Sequence, residues 1–183
     1  MKSAIFIDGA HLNSIMKTHH GGVLLSYEKL AGHVAHGDDI LRTYYYDSPP
    51  WQDNPPTPDQ SARFAKRQKF FQSLRQLTKF EVREGRCARI WDKNASRWKY
   101  EQKRVDVLCS VDLVRLASKG KIERAVLVTG DSDFLPAVAV AKDEGVQIRL
   151  IHSPNRREVH RDLWDAADER VVLDAAIVTA TKL

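Results

Sequence analysis

Cysteine is scarce: the chain contains two, Cys87 and Cys109. Neither stands in a Cys-x-x-Cys pair or has histidines at zinc-site spacing, which argues against a disulfide framework or a thiolate zinc centre and leaves two reduced thiols. Long apolar runs are missing as well. No stretch of about 18 uncharged apolar residues occurs, so no transmembrane helix is expected. The N-terminal MKSAIFIDG enters a buried-strand pattern without the apolar core and cleavage site of a secretory signal. The expectation is a soluble, cytoplasmic protein with no membrane partner. There is no internal repeat, and no low-complexity block beyond one proline-rich loop. With 183 residues, 43% hydrophobic and 29% charged, the chain can bury one ordinary core and would be cramped as two, so residues 1–183 are read as a single domain.

Charge is unevenly distributed. From Arg63 to Arg104, 14 Lys and Arg stand against 4 Asp and Glu, a local +10 that leaves −5 on the rest of a chain whose net charge is +5. A basic segment beside an acidic pocket suits a metal-dependent enzyme acting on a polyanion, because cations attract phosphates while carboxylates hold metal ions. A solvated charged helix face is the plainer explanation for the segment taken alone.

The apolar run Ser3 to Ile7, ended by Asp8-Gly9, has the pattern of a central strand buried on both faces. Helices are expected over about 12–17 and, behind a Ser26 cap, 27–35, and the β-branched and aromatic run Ile40 to Tyr46 predicts a second strand. Residues 47–60 hold five of the seven prolines and read as an extended loop rimming a site or a partner surface. Phe64, Phe70, Phe71, Leu74 and Leu77 fall at helical spacing among basic residues, predicting an amphipathic basic helix over 61–77. A strand over 80–84 and a hairpin turning at Asp92-Lys93-Asn94 follow, the basic insertion being set at 63–104. Further on, the pattern gives a helix over 105–117, a strand over 125–129, a helix over 134–144 stopped by Gly145, a strand over 146–151, a helix over 156–167 and a short apolar run 171–173. Strands alternating with helices predict an α/β fold with a parallel sheet covered on both faces.

Ligand sites in such sheets lie beyond the carboxyl ends of the strands, near a switch in strand order, and both Asp8 and Asp131 fall at such ends. Asp106 opens a helix and Asp133 follows Asp131 by two. Gathering carboxylates within about 4 Å costs on the order of 4 kcal/mol per pair at an effective dielectric of 20. Mg²⁺ or Mn²⁺ would offset that cost. Each residue also has a plainer role: Asp131 or Asp133 as the cap of the following helix, Asp8-Gly9 as a turn, Asp106 as a first-turn residue favoured by the helix dipole. Asp112, six positions after Asp106 and about 120° round the helix, is read as supporting or structural.

The blocks FIDGAHL, KRVDVLCSVDLVRLA and VLVTGDSDFLPAV, in this order and at these separations, resemble the signature blocks of NYN-domain ribonucleases in the PIN-like nuclease superfamily. The likeness covers roughly residues 3–175. It implies a three-layer α/β/α sandwich with a central, mainly parallel sheet, here with a basic hairpin insertion, and a divalent-metal-dependent, RNA-cleaving site leaving a 5′-phosphate. Asp8, Asp106, Asp131 and Asp133 match the acidic catalytic positions, with Mg²⁺ or Mn²⁺ on the first three, and Asp112 matches a recurring one. His11 stands where the family pattern has Asn, with Asn13 displaced by two. His11, Asn13, Asp112 and Ser132 are assigned supporting roles. Arg63, Arg67, Arg86, Arg89, Arg97 and Lys99 are expected to neutralise an RNA backbone, with Trp98 and exposed members of Phe71, Trp91 and Tyr100 stacking on bases of a single strand. A protein partner or a homodimer is compatible with the tryptophans and the proline loop. The competing reading is a regulatory module that keeps the fold and binds RNA but cuts little. A Mg²⁺-dependent phosphatase fits worse, because Asp8 lacks a second Asp two residues later.

Overall fold

The computed structural model describes residues 1–183. Eight strands are formed: β1 (Lys2–Asp8), β2 (Asp39–Asp47), β3 (Phe80–Glu84), β4 (Arg86–Asp92), β5 (Arg97–Lys103), β6 (Arg124–Val128), β7 (Gln147–His152) and β8 (Glu169–Val172). Seven α-helices accompany them: α1 (Gly9–His19), α2 (Tyr27–Ala35), α3 (Pro58–Arg75), α4 (Val105–Ser118), α5 (Leu135–Asp143), α6 (Arg161–Ala166) and α7 (Ala175–Thr181). Six strands form one sheet in the order β3-β2-β1-β6-β7-β8. Every neighbouring pair in it runs parallel. The expected α/β sandwich is therefore present, with β4 and β5 paired antiparallel as a separate hairpin.

The period-two alternation explains why the central strands look uniformly apolar. Ala4 and Phe6 of β1 enter one core with Tyr44, Leu127, Leu150, Leu113 of α4 and Val138 of α5. Ile5 and Ile7 enter the other with Tyr45, Val126, Ile151, Leu12 of α1, Leu30 of α2 and Phe71 of α3. Both faces of the sheet are covered, so a strand such as β1 has no polar side to display. No helix is long and apolar enough to cross a membrane.

Three local expectations change. The 47–60 segment is not loop throughout, because α3 begins at Pro58 behind a Thr57–Gln60 capping box. Proline costs nothing in the first turn, where its missing N–H would have no partner. The basic stretch 63–104 is not one appendage: α3 packs Phe71 and Leu74 into the core and β3 is an edge strand of the main sheet, leaving the hairpin outside it. The helix anticipated over 156–167 is interrupted, with a 3-10 turn at Arg156–Glu158 and α6 starting at Arg161 behind a His160 cap. Val159 between them is extended and buried in the core, which breaks the helical path.

Candidate active site

β1 is flanked by β2 on one side and β6 on the other, so the strand order reverses between β1 and β6. Their carboxyl ends open a crevice there. Asp8 is the last residue of β1 and the N-cap of α1, its Oδ1 accepting from the His11 N–H at 3.0 Å. Asp131 follows β6 and caps the 3-10 turn Ser132–Phe134, accepting from the Asp133 N–H at 2.9 Å. The capping role and a place in the site coincide: the cap fixes one carboxylate oxygen and leaves the other available. Asp106 lies in the first turn of α4, where Arg104 at φ 74° turns the chain out of the hairpin. Ser132 is half-buried between the exposed Asp131 and Asp133.

These groups feel one another electrostatically. Burial pushes the Asp8 carboxyl up to about 6, with the negative charges of Asp106 and Asp47 adding to the rise against the His11 N–H bond. Asp106 is also raised, first by burial and then by Asp131 and Asp133. Cys109, buried beneath them, is driven well above its ordinary value by burial and by Asp8, Asp112 and Asp106. Other acids nearby are neutralised: Asp47 pairs with Arg67, Asp53 with Arg89, and Asp112 with Arg83 and Arg115. Asp8, Asp106, Asp131 and Asp133 have no such cation.

No three His, Cys, Asp or Glu side chains converge into a ready-made metal shell. A small hard cation does not require one. Mg²⁺ commonly binds through one or two carboxylates and keeps waters that it shares with substrate phosphates. The donor set here, all carboxylate and without a competing arginine or lysine, fits that mode.

His11 lies beside the crevice with its ring enclosed. Its ring packs on Gly130, where an added Cβ would come within 2.7 Å of the ring and 2.5 Å of the Glu158 carbonyl oxygen. Burial lowers its basicity against the pull of Glu158 and Asp131. Its Nε2 is buried without a hydrogen-bond partner. Asn13 points elsewhere. Two residues along α1 is about 200° of rotation, and Asn13 lines an apolar groove of about 540 Å³ with Tyr27, Phe70 and Leu74. That groove, although roomy, holds none of the four unpaired carboxylates. Asp112 is drawn away from the crevice too, accepting from the Tyr46 hydroxyl at 3.1 Å and from Arg83 and Arg115.

The basic candidates divide into engaged and free. Arg63 pairs with Asp59 on α3, Arg67 with Asp47, Arg89 with Asp53 and Lys99 with Glu101. Arg86 and Arg97 are exposed on the hairpin and make no ion pair. Phe71 is fully buried, whereas Trp91, Trp98 and Tyr100 stand 47%, 49% and 55% exposed. Sequence reasoning overlooked Asp47. It ends β2 as Asp8 ends β1, and that position at the carboxyl end of an apolar strand was the available signal.

The NYN domain family model matches residues 2–174. The chain belongs to the NYN-domain family. NYN domains are a PIN-like nuclease family, which gives this one a nuclease-like, RNA-related and, at a coarse level, hydrolase character. No curated protein matches it. Among solved structures, a protein of unknown function from Vibrio parahaemolyticus RIMD 2210633 is similar at 19% identity and TM-score 0.65, over 100% of this chain and 96% of that one. That likeness bears on the fold. MurG of Acinetobacter baumannii matches at 12% identity and TM-score 0.41, over 93% of this chain and 45% of that one, too distant for argument.

Proposed function

We propose that this NYN domain is a divalent-metal-dependent endoribonuclease that hydrolyses RNA phosphodiester bonds. The observation that carries the reading is the set of four carboxylates, Asp8, Asp106, Asp131 and Asp133, gathered at the strand-order switch without a cation to neutralise them. Asp8, Asp106 and Asp131 would hold one or two Mg²⁺ or Mn²⁺ ions, which when bound supply an activated water and neutralise charge at the scissile phosphate. Asp133, on the exposed rim, adds to the negative field that concentrates cations there. His11, neutral because burial disfavours its charged form, has its Nε2 enclosed against Gly130 and would donate it to a non-bridging phosphate oxygen once the ring turns off that glycine, in the tautomer that protonates that nitrogen. The free cations of the hairpin attract the backbone, and the two free cysteines suit a reducing cytoplasm.

A second reading is a module of the same fold that binds RNA and cuts little. It draws on His11 at the position where the resembling proteins carry Asn, and on the lack of a preformed three-ligand shell. Cleavage of a labelled single-stranded RNA and of the matched DNA, with Mn²⁺, Mg²⁺ or chelator, separates the two. Metal-dependent RNA cleavage is expected, falling by at least about a hundredfold in Asp8→Asn and in Asp131→Asn, as loss of several kcal/mol of transition-state stabilisation requires. Cleavage unchanged in both variants would remove the acidic cluster from the mechanism. Salt-sensitive RNA binding without cleavage would establish the regulatory module.

A further inference from the structure

The hairpin is the part of the molecule that the sheet, the cores and the carboxylates do not account for. Its register places Trp91 opposite Trp98, Arg89 opposite Tyr100 and Cys87 opposite Gln102. Since side chains two apart along a strand share a face, these six lie on one side of the ribbon. That side is anchored to the body at its root. Gln102 donates through Nε2 to Asp47 Oδ1 at 2.7 Å, and Asp47 is one of the charges that raise Asp8. Farther out, Arg89 pairs with Asp53 at 2.9 Å and lies between two indoles, 5.4 Å from the Trp51 centroid and 4.5 Å from that of Trp98. The proline-rich segment thus props the ribbon, with a cleft of about 380 Å³ between them lined by Pro50, Trp51, Phe64 and Arg86 among others.

The outer half of the same face remains open. Trp98 and Trp91 meet edge to face at 5.1 Å, yet both are about half exposed, as is Tyr100. Single exposed apolar side chains are ordinary, but adjoining ones that form a patch mark an interaction surface. The surrounding charge specifies the sign of the partner, because Arg86, Lys93, Arg97 and Arg104 are exposed around the ribbon and make no ion pair. From Gln102 to Trp98 is four residues along β5, about 13 Å at the usual strand rise.

We infer that this face of the hairpin is a stacking platform for single-stranded RNA, with bases on Trp98 and Tyr100 a few nucleotides from a scissile phosphate at Asp8. The inference deepens the nuclease reading and rests on it for the identity of the polyanion. Base on aromatic stacking tolerates any sequence but demands unpaired bases, since a duplex hides their faces. Arg89, held between Trp51 and Asp53, stiffens Trp98 from below and reduces the ordering cost of binding. Arg86 and Arg97 alternate to the other side of the two-stranded ribbon, so their long side chains reach the backbone around its edges, without first breaking an ion pair.

The test is binding of a fluorescein-labelled oligouridine to the full chain in chelator, so that nothing is cut, followed by anisotropy and by quenching of tryptophan emission. Trp98→Ala should weaken binding roughly tenfold to a hundredfold. Trp98→Phe, which keeps an aromatic face and the packing on Arg89, should remain within about threefold and guards against a simply unfolded hairpin. An RNA duplex of equal length should bind more weakly than the single strand and ignore Trp98. Parent-like binding by both Trp98→Ala and Tyr100→Ala would overturn the platform, as would equal affinity for duplex and single strand, or binding to anionic vesicles but not to RNA. Metal-dependent cleavage in a protein whose binding ignores Trp98 removes the platform and leaves the nuclease. Trp98-dependent binding without cleavage does the reverse.

Discussion

Asp8 performs two tasks with opposite energetic signs. Its carboxylate caps α1, a stabilising contact, yet burial and the charges of Asp106 and Asp47 lift it from its ordinary 3.8 to about 6. Because the folded carboxyl lies above its unfolded value, its protonated form favours the fold: that stability is whole below about pH 4 and is lost as pH rises through about 6. The shift corresponds to on the order of 2 to 3 kcal/mol. Asp8→Asn keeps an oxygen for the His11 N–H and removes the charge, so denaturant unfolding should find the variant more stable than the parent by about 2 kcal/mol at pH 7.5 and equal to it near pH 3.5. A gain independent of pH would mean that the charge is not the cause. His11 permits a second test at this scale. If its unpartnered Nε2 donates to the phosphate, His11→Ala forfeits one hydrogen bond to a charged group, roughly tenfold to a hundredfold in kcat/KM. His11→Asn, which retains a donor, should recover part of the loss. Equal rates for all three proteins would leave the ring with a packing role on Gly130.

At the scale of elements, much of the architecture could be read from pattern because each apolar run is short, bounded and of one period. Ser3 to Ile7 and Ala125 to Thr129 announce buried strands, formed as β1 and β6, and the carboxylates at their ends. What escaped were features set by neighbours. Asp47 looked like the first residue of a proline loop, and its approach to Asp8 depends on β2 lying beside β1, which no local pattern states. The division of the basic stretch into core helix, edge strand and free hairpin is likewise decided by what Phe71 and Leu74 pack against. α7 was missed because a small-residue run, Ala175 to Thr181, gives little amphipathic signal, although Asp174 caps it and Ile177 and Val178 are buried. The early start of α3 was legible in principle from Thr57, Pro58 and Gln60 but was outweighed by the density of proline before it. The box is reciprocal, with the Gln60 N–H donating to Thr57 Oγ1 at 3.2 Å and the Thr57 N–H to Gln60 Oε1 at 3.0 Å. Thr57→Ala should therefore cost about 1 kcal/mol in urea unfolding. Thr57→Ser should cost a few tenths at most, because the hydroxyl remains. A neutral Thr57→Ala would show that Pro58 and the packing of Phe71 and Leu74 suffice to start the helix.

The whole molecule separates its charges, with unpaired carboxylates in the crevice and unpaired cations on the ribbon beside it. Such a field draws a polyanion and small cations to adjoining places, and each reduces the repulsion that the other meets. The two sources of binding free energy should respond differently to salt. Phosphate contacts release condensed counterions, so the logarithm of RNA affinity falls with the logarithm of salt at about −0.7 per neutralised phosphate on a single strand. If Arg86, Lys93, Arg97 and Arg104 each meet one phosphate, the slope should be close to −3. Replacing Arg86 and Arg97 by Ala should flatten it by about 1.4. Trp98→Ala, which removes stacking and no charge, should lower affinity at every salt concentration and leave the slope unchanged. A slope that ignores the two arginines would place the phosphate path elsewhere, one other basic face being α3, where Lys66 and Lys69 are exposed without ion-pair partners. The slope therefore reports which cations the RNA backbone crosses, independently of whether the carboxylates cut it.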